Sequence, residues 1–115
     1  PEDGYRVLVD KLWPRGIRKE ALRYDLWAKE IAPTPGLRTW FHAAPGERWE
    51  EFRRRYTAEL RSSPAVRDFV RRIAGKGTVT LLYASKSAAG NHALILQEYL
   101  AHATAAEEVT NARYS

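Results

Sequence analysis

Apolar residues recur along the chain with two different periods. Tyr5-Arg6-Val7-Leu8-Val9-Asp10-Lys11-Leu12 is β-branched and apolar and is broken by Trp13-Pro14-Arg15-Gly16, the pattern of a strand running into a loop. Thr78-Val79-Thr80-Leu81-Leu82-Tyr83-Ala84 is a second strand, so nearly continuously apolar that both of its faces are expected to be covered, as in parallel sheets. Between them the period lengthens to that of helices. Thr34-Pro35 reads as an N-cap with proline at the first helical position, followed by Leu37, Trp40 and Phe41 on one face. Pro45 opens a longer helix whose stripe Trp49, Phe52, Tyr56 and Leu60 advances by three, four and four, turning Arg53, Arg54 and Arg55 mostly outward. Ser63-Pro64 caps a third helix carrying Val66, Phe69, Val70 and Ile73, which Gly75 ends. Leu94, Ile95, Tyr99 and Leu100 mark a last amphipathic helix headed by Asn91.

Two segments read less clearly. Residues 21–33 fit a short strand or turn running into a helical stretch. The tail after Ala103 has little patterning and is expected to fray. Strands at both ends with helices between them predict a single compact α/β domain, with a small, mostly parallel sheet and helices packed on it. Ligands of such sheets gather beyond the carboxyl ends of the strands, so the loops 10–16 and 83–92 are the place to seek a site.

Composition narrows the classes. The chain has 115 residues, 44% of them hydrophobic and 13 aromatic, enough for one core and too few for two. No apolar run reaches the ~20 residues of a membrane span, and the N-terminus lacks the layout of a secretory signal. Cysteine is absent, which removes thiol nucleophiles and disulfides and fits a cytoplasmic protein. The net charge is +5, and most of the excess lies between Arg48 and Arg72, where eight arginines face four acids. Such a patch could meet phosphate backbones. Glu50 to Arg54 and Glu51 to Arg55 also have the spacing that supports an ordinary exposed helix.

Chemistry-bearing residues concentrate on the two loops. Asp10 follows the apolar Val7-Leu8-Val9, where a buried carboxylate needs a partner, and Arg15 could provide it; a structural pair and a ligand-facing role for either both remain open. Trp13 and Tyr83 are candidate stacking surfaces, with core packing the alternative for Trp13. Lys86 at a strand-to-helix turn suits an anion. Asn91 suits an N-cap or a ligand contact, and His92, in the first helical turn, is expected to be a neutral imidazole able to act as a base. No clustered His/carboxylate spacing indicates a metal, no Walker or G-x-S-x-G motif appears, and no cofactor is expected.

Taken together, RVLVDKLWPRG (6–16), DLWAKEIAP with LRTWFH (25–42), WEEFRRRYTAEL (49–60) and TVTLLYASKSAAGNHALILQEYL (78–100) resemble the DUF488 family, in its small YeaO-like branch, over the whole chain to about Ala103. The resemblance implies a compact α/β domain, residues 1–115, of bacterial or archaeal cytoplasm; it supplies no reaction. It carries D-x-L-W-P-R-G and the L-L-Y-A and N-H-A segments onto Asp10, Trp13, Pro14, Arg15, Gly16, Tyr83, Asn91 and His92. Members typically begin with one more apolar strand, which is expected to precede Pro1. They also carry acids where this chain has Ser87, Ala88, Ala89 and Gly90, so a general-acid carboxylate is not expected in that loop.

The favoured expectation is an enzyme or small-molecule binder that takes a phosphate- or carboxylate-bearing ligand, such as a nucleotide, between the two loops. Asp10 and His92 would move protons while Trp13, Arg15, Tyr83, Lys86 and Asn91 bind. The alternative is a non-enzymatic nucleic-acid-associated module using the arginines of 48–72. A membrane partner is not expected.

Overall fold

The computed structural model describes residues 4–13, 15–84, 91–103 and 108–113. Four parallel strands form one sheet: β1 (Tyr5–Leu8), β2 (Leu26–Trp27), β3 (Thr78–Tyr83) and β4 (Glu108–Arg113), in the spatial order β2-β1-β3-β4. Helices α1 (Pro35–His42), α2 (Pro45–Ser62) and α3 (Pro64–Ile73) join β2 to β3, and α4 (His92–Ala103) joins β3 to β4.

The expected strands and helices form where the apolar periods put them, with short 3-10 turns at Lys19–Ala21 and Lys29–Ile31 on either side of β2. Ser63 caps α3 as expected, its hydroxyl accepting the Val66 amide at 3.2 Å. Thr34 instead reaches sideways. Its hydroxyl donates to Glu59 at 2.6 Å and its amide donates to the same carboxylate at 3.0 Å, fastening the start of α1 to α2. Gly4 is needed at the entry to β1: it has φ of +65°, and a Cβ there would stand 2.3 Å from the Thr78 carbonyl oxygen.

The tail differs from expectation. Residues 108–113 do not fray but pair along all of β3, because α4 returns the chain to the sheet and Gln97 of that helix donates to the Val109 carbonyl and accepts from the Asn111 amide. Unpatterned, half-exposed edge strands of this kind have no apolar signature to read.

The sheet separates two cores. Val7 and Val9 of the β1 segment, with Val79, Leu81 and Tyr83 of β3, point to one face and bury against all four helices. Leu8 and Leu82 point to the other face and are covered by Leu22, with Trp13, Ile17, Tyr24 and Trp27 packed around them. The strand order explains this division. Stepping from β1 to β2 runs one way across the sheet, and from β2 to β3 and β3 to β4 the other. Right-handed connections then put Trp13, Ile17, Leu22 and Tyr24 on the face opposite the helices.

Candidate functional site

The reversal falls between β1 and β3, whose following chain segments diverge to opposite faces of the sheet. This is the switch point where open parallel sheets leave a crevice. A cavity of about 330 Å³ lies there, on the helical face. Its polar lining comes from Asp10 and Lys11 after β1, Arg38 and His42 of α1, and Asn91 and His92 at the start of α4. Leu12, Phe41 and Phe52 supply much of the apolar wall, the two phenyl rings stacked at 4.1 Å.

Long-range contacts fix the polar groups. Asp10 accepts the Ala84 amide on Oδ2 at 2.9 Å, joining the ends of the two central strands. His92 lies 2.9 Å through Nε2 from the Val9 carbonyl, so Nε2 carries the proton and the neutral ring leaves Nδ1 as an acceptor. The ring also stands edge-on to Tyr56, which is itself held by donating to the Ile31 carbonyl at 2.7 Å. Asn91 is buried and caps α4, its Oδ1 accepting the Ala93 amide at 2.9 Å.

Electrostatics follow from burial. Desolvation raises the Asp10 carboxyl above its ordinary value, against the opposing pull of His92, the Ala84 amide and Arg38. Desolvation also lowers His92, only partly countered by the Val9 hydrogen bond and Asp10, with Arg38 and His42 adding to the lowering. A neutral imidazole was expected from the helix dipole; burial is the larger cause here. The Arg38 guanidinium makes no ion pair or hydrogen bond among the described residues, although it lines the same cavity and its charge is felt by both groups.

Of the residues singled out in the sequence, the structure brings together Asp10, Asn91 and His92. Trp13 is elsewhere. It packs on the opposite face, edge-on to Tyr24 and Trp27, with its indole N–H donating to the Ile17 carbonyl at 2.6 Å. Arg15 is exposed in the same segment, does not line the cavity and does not pair with Asp10, whose titratable neighbours are the His92 imidazole and the Arg38 guanidinium. Gly16 takes φ of +80° in that turn. Tyr83 is buried in the main core and does not line the cavity. Pro14, Lys86 and the rest of 85–90 lie outside the described residues.

Arg38 and His42 of α1 were not placed at the site by sequence reasoning, and Lys11 and Leu12, inside the loop 10–16, were given no role there. Arg38 sits one position past an obvious apolar residue in a short helix. Only the approach of α1 to the strand ends reveals it, and a polar position between Leu37 and Trp40 carries no such signal.

The arginine-rich segment is largely occupied. Arg54 and Arg55 pair with Glu51, Arg53 with Glu98 of α4, and Arg71 with Asp68. Arg48 and Arg55 stack on Trp40 at 4.8 and 4.4 Å, and Arg53 on Trp49 at 5.4 Å. Among the described residues no group of three potential ligands could hold a metal ion, and no helix is long and apolar enough to cross a membrane.

Fold and site therefore define a small parallel α/β domain with a cavity at its switch point, walled by apolar residues and carrying a few ionisable groups. The chain belongs to the DUF488 family: the model of the inactive DUF488-N3 subclade matches residues 1–115. It is 46% identical over 98 residues to uncharacterized protein YeaO of Escherichia coli, covering 85% of this chain and 84% of that one. It is 44% identical over 100 residues to uncharacterized proteins Rv3073c of Mycobacterium tuberculosis and Mb3100c of Mycobacterium bovis, covering 87% of this chain and 83% of each. No solved structure matches the chain.

Proposed function

We propose that this protein is a cytoplasmic, non-catalytic binding module that takes a small acid in the cavity between β1, β3, α1 and α4. The observation that carries the reading is Arg38, a guanidinium with no protein partner among the described residues, lining a half-closed cavity beside Lys11. Arginine left unpaired in a cleft presents a planar donor fork suited to a carboxylate or phosphate.

The family description supports binding over turnover, since the matching subclade is described as inactive. Asp10 and His92 then serve to shape and polarise the site, with proton transfer the competing reading. The arginines of α2 and α3 support a small ligand over nucleic acid, because most of them are engaged by glutamate, aspartate or tryptophan of the same molecule.

Calorimetric titration with small carboxylates and phosphates tests the reading. At least one should bind, and Arg38→Met should weaken it by about tenfold or more while the melting temperature stays near that of the parent. Equal affinity in the two proteins would defeat the proposal.

A further inference from the structure

The cavity offers acceptors as well as cations. Asp10 uses Oδ2 for the Ala84 amide, while Oδ1 stands 3.8 Å from His92 Nε2, beyond hydrogen-bond reach. His92 spends its one neutral-form N–H on Val9, leaving the Nδ1 lone pair. Neither atom has a hydrogen-bond partner among the described residues, and no buried side-chain nitrogen or oxygen among those residues lacks one. Both acceptors must therefore reach open space, and the open space that both residues line is the cavity. Arg38 and Lys11, which line the same cavity, offer only donors from their side chains.

A simple acid satisfies one side alone. A phosphate dianion would set its charge against Asp10, and a hydroxy acid brings a single neutral O–H to two acceptors. An ammonium brings three donors and a positive charge to a carboxylate that burial has left poorly solvated. The apolar wall of Phe41, Phe52 and Leu12, the last 66% exposed, calls for a hydrocarbon group on the same small molecule. A volume of about 330 Å³ is at the small end of ligand sites.

Resting on the acid-binding reading above, we infer that the cavity takes a zwitterion: an α-amino acid with an apolar side chain, its ammonium on Asp10 Oδ1 and His92 Nδ1 and its carboxylate on Arg38. The side chain lies against the phenyl rings and Leu12.

Matched pairs separate the two readings. L-phenylalanine is compared with 3-phenylpropanoate, and L-leucine with 4-methylpentanoate, by calorimetry on the whole chain at neutral pH. The amino acid of each pair should bind about tenfold more tightly. Asp10→Asn should bring that ratio close to one, because it removes the charge that only the ammonium needs. If the plain acids bind as tightly as the amino acids, the zwitterion is wrong and the acid-binding reading stands. If no member of either pair binds up to millimolar concentrations, the zwitterion is overturned, whereas the acid-binding reading falls only when the phosphates and other small carboxylates also fail to bind. If the amino acids win but Asp10→Asn leaves the ratio unchanged, the assignment of the ammonium to Asp10 is overturned.

Discussion

Burial acts oppositely on the two central titratable residues. It discourages charge on both, raising Asp10 from 3.8 and lowering His92 from 6.5. The consequences for stability have opposite signs. An unfolded His92 takes up a proton as the pH falls below 6.5, which the folded site refuses, so stability is present above that value and is lost as the pH falls toward the folded value. A folded Asp10 keeps its proton where the unfolded carboxyl has released it, so its contribution is present at low pH and is lost as the pH rises above 3.8 through the folded value. Facing groups Arg38 and His42 oppose the His92 cation, and Asp10 favours it. Urea melts should therefore show a loss of about 1 kcal/mol between pH 7.5 and 5.5 that His92→Gln largely removes. Asp10→Asn keeps an acceptor for the Ala84 amide without the buried charge. At pH 7.5 it should be at least as stable as the parent, as expected where a site trades stability for binding. An unchanged pH slope in His92→Gln would place the titrating group elsewhere.

Among the elements, β1 carries the most constraint for its length. It is four residues long, lies between two parallel neighbours and is entered through a left-handed glycine pressed on the Thr78 backbone. Gly4→Ala combines a disfavoured φ with a clash against main chain that cannot swing aside. It should cost more than about 2 kcal/mol, read as a lowered urea midpoint with an unchanged slope. Strands and helices of this kind were legible because each has an apolar face with one clear period: Val7-Leu8-Val9, Val79 to Tyr83, and the Phe52-Tyr56-Leu60 stripe. β4 was illegible because its neighbours, not its side chains, make it a strand. Asp10, Asn91 and His92 were legible as polar residues at strand ends and at a helix start. Arg38 and the exclusion of Trp13 were not, since both depend on which face each connection crosses. A local pattern contains the strands but not the direction in which the chain steps from one to the next.

At the scale of the molecule the sheet is a partition. Trp13, Leu8 and Leu82 share no core with Phe52 and Phe41, so damage on one face should leave the other unaware. Trp13→Ala and Phe52→Leu are expected each to cost about 2 kcal/mol and to add in the double variant within about 0.5 kcal/mol. A larger coupling would mean that the two cores fold as one packed unit. The contacts that shape the cavity also span nearly the whole chain: Asp10 to Ala84 across 74 positions and Val9 to His92 across 83. No fragment and no partly folded chain can hold that geometry. Whatever occupies the cavity binds the complete fold alone, so occupancy protects the entire molecule from unfolding and from proteases that wait for it. A change in the protein's lifetime would then report the ligand's concentration without any catalytic step.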